Sequence, residues 1–248
     1  MRLMRCFVPP PLQEHTQRLL PPSAALHVAR VLRLRPGATL SLFDGRGGEF
    51  EAEIVSIQRD QVQVAIRSHQ AIEREPPLRI SLLQGLARGE RMDFIVRKAT
   101  ELGVAEFLPI ATEHSVVRLA QAAAARRREH WLQIAISACE QCGRNQIPAV
   151  HEVADLSHAT APIGAGARWI LNPRAKLSLT DAVRRSVAAA SSAVSLLIGP
   201  EGGFSEAELD LARSMDFEPC HLGPRILRAE TAPLAALTIV QALIGDLR

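Results

Sequence analysis

Two segments near the C-terminus share a pattern suited to holding a ligand: "LLIGPEGGFSEAEL" (196–209) and "LGPRILRAETAPLAAL" (222–237). In each, a short apolar run passes through Gly-Pro into a loop and then into a helix start. Glycine leaves the backbone bare, so a ligand can approach main-chain amides and carbonyls, and ligands of open α/β sheets bind beyond the carboxyl ends of strands. No lysine follows in the G-x-x-x-x-G-K-[ST] pattern, which disfavours a nucleoside triphosphate held in that manner. The arrangement suits an adenosine-like ligand, although spacing alone equally describes two ordinary strand-to-helix turns.

Polar groups gather in a further stretch, "CEQCGRN" (139–145), where Glu140, Gln141, Arg144 and Asn145 close an apolar helical segment. Glu230 and Arg228 flank the second turn. A carboxylate beside a guanidinium can take up a proton and stabilise developing negative charge. The same residues have plainer readings: Glu140 and Arg144 at i,i+4 make a helix ion pair, and Glu230 assists the start of the last helix. Cys139 and Cys142 spell C-x-x-C, but no second C-x-x-C or H-x-x-x-H supplies the rest of a tetrahedral zinc site, so no metal is expected. Trp131, Ile134, Ala138 and Cys142 recur at helical spacing, which favours packing over redox chemistry.

The elements that must position these residues fall into two groups. In residues 1–72, "TLSLF", "EFEAEIVSI" and "QVQVAIRS" read as strands, with Asp44-Gly45 and Gly47-Gly48 turning the first into the second. "SAALHVARVLRLRPG" reads as a short helix with Ser23 as N-cap and Pro36-Gly37 as its stop. His27, in that segment, reads as a packing residue. "IEREPPL" is the linker. Residues 73–248 then alternate strand and helix: "LRISLLQGL", a helix through "ERMDFIVRKATELG" ending at Gly103, "VAEFLPI", a long helix from about Ala122 to Arg144, and strands at "AVHEV", "RWILN", "VSLLIG" and "EPCHLG". That alternation predicts a mostly parallel sheet covered on both faces. Ser205 and Glu208 have capping-box spacing, and Pro233 sits in the first turn of the last helix.

Composition bounds the rest. The 248 residues carry 29 basic and 26 acidic groups, a net +3, and only Lys98 and Lys176 are lysines. Arginine suits bidentate phosphate contacts, and Arg2, Arg5, Arg30, Arg33 and Arg35 cluster in the first 35 residues, where Glu14 is the only acid. That cluster is a candidate RNA-phosphate patch; a solvated face explains it equally well. No window approaches the apolar length of a membrane span, and the N-terminus lacks a secretory h-region, so the expected compartment is the cytoplasm. Four cysteines are expected as thiols.

The two turn segments resemble the C-terminal signature of the SPOUT methyltransferases, specifically the RsmE family of 16S ribosomal RNA uracil-N3 methyltransferases. "HVARVLRLRPG" and "LFDGRGGEFEAEI" resemble that family's PUA-like N-terminal domain, and "KATELGV", "EHSVV" and "ISACEQCGRNQIP" match its catalytic domain. The resemblance implies an α/β fold in which a PUA-like β-barrel precedes a SPOUT domain, with a trefoil knot over about 195–248. It implies a homodimer, S-adenosylmethionine as cofactor and the small ribosomal subunit as partner. The implied cofactor walls are Leu197, Gly199, Pro200, Glu201, Gly202 and Gly203; Leu222, Gly223, Ile226, Leu227, Arg228 and Thr231; and the strand end at Leu171 and Asn172. Candidate base and charge stabiliser are Glu140 or Glu230 and Arg144 or Arg228. Arg2, Arg5, Arg30, Arg33 and Asn145 are the candidate RNA contacts. Two other readings stay open: a SPOUT enzyme with another nucleoside target, and a non-catalytic RNA-binding assembly protein.

Overall fold

The computed structural model describes residues 3–115, 121–159, 164–187 and 192–247. The chain divides into two compact units. One comprises Met1–Glu75 with Cys139–Ile147, and the other Pro76–Ala138 with Pro148–Arg248. The break falls three residues beyond the expected linker boundary, and the first unit takes back a later segment that nothing in its own composition announces.

In the first unit, strands β1 (Arg5–Phe7), β2 (Gln17–Leu19), β3 (Thr39–Phe43), β4 (Glu49–Gln58) and β5 (Gln61–Gln70) form a sheet in the order β1-β3-β4-β5-β2. A barrel was expected; among the described residues no pairing of β1 with β2 closes this order. Alternation decides which face is buried, since successive side chains point to opposite sides. Thus Leu40, Leu42, Ile54, Val62, Val64 and Ile66 share one core, each contributing about 1.5–3 kcal/mol relative to exposure. Gly45, Gly47 and Gly48 all have positive φ, and Asp44 accepts the Arg46 N–H at 3.1 Å and the Leu12 N–H at 3.2 Å. Helix α1 (Pro22–Leu26) passes directly into a π-helical turn, His27–Val31. Ser23 is therefore inside the helix, whose N-cap is Pro21, and the chain leaves it at Arg33, with φ +52°, before Pro36-Gly37 is reached. Proline at the first helical position needs no amide partner, which removes the need for a serine cap. His27 is exposed rather than packed.

The second unit holds β6 (Arg79–Gly85), β7 (Val104–Ala111), β8 (Ala149–Val150), β9 (Ala154–Asp155), β10 (Ala167–Leu171), β11 (Leu177–Ser178), β12 (Ala193–Ile198) and β13 (Glu218–His221). The sheet runs β11-β13-β10-β12-β6-β7-β8, with β9 also against β7, and each of these pairings is parallel. Interior parallel strands are apolar on both faces, and five of the six β12 residues are buried. Helices α2 (Arg91–Glu101), α3 (Gln121–Cys142), α4 (Leu156–Ala159), α5 (Leu179–Val187), α6 (Glu206–Ser214) and α7 (Thr231–Ile244) complete the elements. Gly103, just past α2, has φ +82° and closes the helix as the sequence predicts. Along α3 the buried stripe is Trp131, Ala135, Ala138 and Cys139; Ile134 and Cys142 are only partly buried. Gln241 of α7 is fully buried and donates to Leu102 O at 2.8 Å, tying the last helix to the end of α2. No helix among the described residues is long and apolar enough to cross a membrane.

Candidate cofactor and catalytic site

The first Gly-Pro turn leaves the carboxyl end of β12, whose Leu197 lies between Leu83 of β6 and Ile170 of β10 in the sheet. Gly203 donates its N–H to Pro200 O at 2.9 Å and has φ +69°. A Cβ on Gly199 would sit 3.2 Å from the Gly203 Cα and 3.2 Å from the Phe204 ring, so the turn closes on itself there. Two residues not singled out from sequence support it. A Cβ on Gly85 would lie 2.5 Å from the Pro200 ring, and the buried Gln84 amide donates to Gly85 O at 3.1 Å and Gly199 O at 3.4 Å. Their signal was position alone: both end the strand beside β12. Beyond the turn, Glu208 N–H donates to Ser205 Oγ at 3.3 Å and Ser205 N–H to Glu208 Oε2 at 2.9 Å, the reciprocal cap of α6.

The second turn leaves β13. Gly223, with φ +100°, donates its N–H to His221 Nδ1 at 2.9 Å, and Arg228 O accepts the N–H groups of Thr231 and Ala232 at the start of α7. Asn172, at the end of β10, donates its N–H to Cys220 O of β13 at 2.9 Å, while its Oδ1 accepts the Arg174 N–H at 2.8 Å. Leu171 and Leu222 are half-buried, and Ile226 is 85% exposed. A Cβ at Gly203 or Gly223 would meet nothing within 4 Å. Bare backbone at both turns, with an exposed apolar side chain beside one of them, fits a ligand that carries an adenosine.

Arg91, the first residue of α2, joins the two turns. Its guanidinium donates to Glu201 Oε1, and its Nε lies 3.6 Å from Glu230 Oε2. Arg88 N–H donates to the same Glu201 oxygen at 3.1 Å. Burial pushes the Glu201 carboxyl up, but hydrogen bonds from its own amide, from Arg88 N–H and from Arg91 outweigh it and hold the group below its ordinary value. Glu230 is the N-cap residue of α7 without a side-chain capping bond. Its carboxylate faces Arg91 rather than the helix amides. Arg228 is exposed.

The structure engages Glu140 and Arg144, two of the four catalytic candidates, inside the first unit. Glu140 Oε1 accepts the Phe7 N–H at 2.9 Å, and burial raises its carboxyl above the ordinary value despite that bond and the nearby His27 and Arg5. Arg144 is 5% exposed and grips Glu75 through Nε at 2.9 Å and a terminal nitrogen at 2.5 Å. Two RNA candidates lie in the same cluster. Arg5 is 7% exposed, pairs with Glu49 at 2.6 Å, and donates to Asn145 Oδ1 at 2.6 Å and Arg144 O at 3.0 Å. Asn145 is fully buried and donates to Ile72 O at 2.6 Å. Polar groups in such a place are engaged chiefly with one another. Arg33 and Arg30 are exposed, Arg30 in an ion pair with Asp60 at 2.7 Å, while Arg2 lies outside the described residues. Cys139 is buried, its thiol pushed up to about 12 chiefly by burial, and it donates to Gln146 O at 3.6 Å. A thiol so hard to ionise is a packing group.

Comparison with known proteins agrees with this geometry. Residues 74–241 match the RNA methyltransferase domain family, and residues 20–67 match the RNA methyltransferase PUA domain. Ribosomal RNA small subunit methyltransferase E of Bacillus subtilis is 32% identical over 229 residues, 89% of each chain, and its counterpart in Buchnera aphidicola (Schizaphis graminum) is 32% identical over 99% of this chain and 98% of its own. Among solved structures, a methyltransferase of Legionella pneumophila in complex with S-adenosylmethionine superposes with a TM-score of 0.92 at 40% identity, covering both chains fully. The methyltransferase E of Neisseria gonorrhoeae, also bound to S-adenosylmethionine, gives 0.89 at 35% identity, again over all of both chains. With a PUA domain at its N-terminus and an RNA methyltransferase domain behind it, the chain belongs to the ribosomal RNA small subunit methyltransferase E family.

Proposed function

We propose that this protein transfers a methyl group from S-adenosylmethionine to uracil N3 in 16S ribosomal RNA of the small subunit. The observation that carries the reading is the pair of Gly-Pro turns beyond the ends of β12 and β13, the two strands that flank β10, with open backbone at Gly203 and Gly223. Bound there, S-adenosylmethionine supplies an electrophilic methyl on sulfur. The turns from 199 to 203 and from 222 to 231, with Leu171 and Asn172, hold and orient it, and the reaction depends on that alignment. Uracil N3 must lose its proton to attack well, and the charge left on O2 and O4 calls for donors. Of the four catalytic candidates, Glu230 and Arg228 belong to the second turn, so Glu230 is the proton acceptor and Arg228 the charge stabiliser in this reading. Exposed Arg30 and Arg33 contact RNA phosphate from the N-terminal unit.

The reading extends to a homodimer, to a trefoil knot formed by the segment from about 195 to 248, and to the cytoplasm, where a ribosomal substrate is met. Its test is transfer of labelled methyl to small subunits lacking the modification, followed by nucleoside mass spectrometry. Appearance of 3-methyluridine supports the reading. Another methylated nucleoside replaces the target, and absence of both transfer and cofactor binding replaces the enzyme with a docking protein.

A further inference from the structure

A cavity of about 640 Å³ opens beside the first Gly-Pro turn, walled by residues 88–91, His114, Glu201 and Gly202. These residues follow the carboxyl ends of β6, β7 and β12, which are neighbours in the sheet in the order β12-β6-β7. The other segments proposed to hold the cofactor follow β10 and β13, on the far side of β12. The 199–203 turn, whose Glu201 and Gly202 line the cavity, therefore stands between the proposed cofactor walls on the β10 and β13 side and a space on the β6 and β7 side. Transfer between two molecules requires two adjoining sites, and the ends of adjacent parallel strands set them side by side.

The lining narrows the occupant. Arg88, Glu90 and His114 are exposed, and His114 packs so closely on the turn that a Cβ on Gly202 would lie 2.7 Å from its own Cβ. The lining combines the cationic or donor side chains of Arg88, Arg91 and His114 with the carboxylates of Glu90 and Glu201, of which Arg91 and Glu201 are paired. The pairing edge of uracil presents the complementary mixture, two carbonyl acceptors around one N–H donor, and its nucleotide adds an anionic phosphate. That edge is available only when the base is unpaired. Arg91 also reaches toward Glu230, so this wall and the second turn share one guanidinium.

We infer that this cavity is the subsite for the unpaired target nucleotide of the RNA, with Arg88 and His114 as its polar contacts and Arg91 as the residue that positions the wall between nucleotide and cofactor. The inference rests on the reading of the protein as an RNA methyltransferase. Arg88→Ala and His114→Ala change side chains outside the proposed cofactor walls. Each is expected to lower kcat/KM for small subunits by at least about 10-fold, the scale of one lost polar contact. Calorimetric affinity for S-adenosylmethionine should stay within about 2-fold and the melting temperature should hold. Photocrosslinking of 16S RNA carrying 4-thiouridine requires binding but no transfer, and is expected to mark peptides containing residues 88–91 or His114. Crosslinks there support the subsite even if the methylated nucleoside proves to be another one or no methyl is transferred. Crosslinks confined elsewhere, unchanged transfer in the double variant, or a loss of cofactor affinity overturn it.

Discussion

Replacing Arg144 with Met separates a structural role from a catalytic one. The guanidinium is 6% exposed and its carboxylate partner Glu75 15% exposed, with both Arg144 nitrogens on a single Glu75 oxygen. Gln146 N–H holds the other Glu75 oxygen at 3.2 Å. Removing the cation leaves that carboxylate buried with one remaining hydrogen bond, and breaking a buried pair in this way costs about 3–5 kcal/mol. Because Glu75 keeps some contact with water, the lower end applies. At roughly 2–4 °C per kcal/mol for a chain of this size, the melting temperature should fall by about 6–12 °C. The assay is calorimetric melting alongside single-turnover methyl transfer measured well below the transition. The expected result is a large fall in stability with a transfer rate close to wild type. Adding Glu75→Leu should recover much of the lost stability, since the carboxylate that Arg144 had paired is then gone as well. A variant that melts within 2 °C of wild type yet has lost transfer would refute the argument and return Arg144 to the catalytic set.

A Cβ on Gly202 collides with His114, so Gly202→Val should weaken S-adenosylmethionine binding at least about 10-fold, with an overpacking cost of about 1–3 kcal/mol; calorimetry that finds unchanged affinity would remove the first turn from the cofactor site. Glu140→Gln preserves the acceptor for Phe7 N–H and should keep the wild-type single-turnover rate, whereas Glu230→Gln should slow it by about 10²-fold or more. For pH, Glu49 is the informative carboxylate: burial raises it, but hydrogen bonds from Arg74 and Ser41 and the charge of Arg5 hold it below its ordinary 4.5. A depressed carboxylate contributes stability that is present above its unfolded value and lost as pH falls through the folded one. Chemical denaturation below pH 4.5 should therefore show a shallower acid loss in Glu49→Gln than in wild type, and parallel curves would deny Glu49 that role.

Local features were legible because neighbours in sequence generate them. Alternation over "TLSLF" and "QVQVAIRS", the apolar run of β12 and the Ser205–Glu208 cap were readable from residues a few positions apart. The burial of Arg5 and Asn145 was not legible because the two lie 140 residues apart, and an arginine-rich stretch looks the same whether it faces phosphate or Glu49. Ser23 was misread because Pro22 opens the helix just before it. Arg88, Arg91 and His114 were missed for a related reason. With Gly202 they come from three strand ends that only the crossover order of the sheet brings together.

That sheet order also bears on how the chain can be made. Strand β10 lies between β12 and β13, and both of its neighbours are translated after it. When residue 171 leaves the ribosome, β10 has no strand beside it, and β6 and β7 wait for β12 to join them to it. The Leu102 carbonyl waits longer still, for Gln241 of α7. Pairings this distant in sequence form slowly. The second unit therefore completes its fold only once α7 has been made, and a nascent chain stalled before α7 would hold both Gly-Pro turns without the helix that finishes the second one.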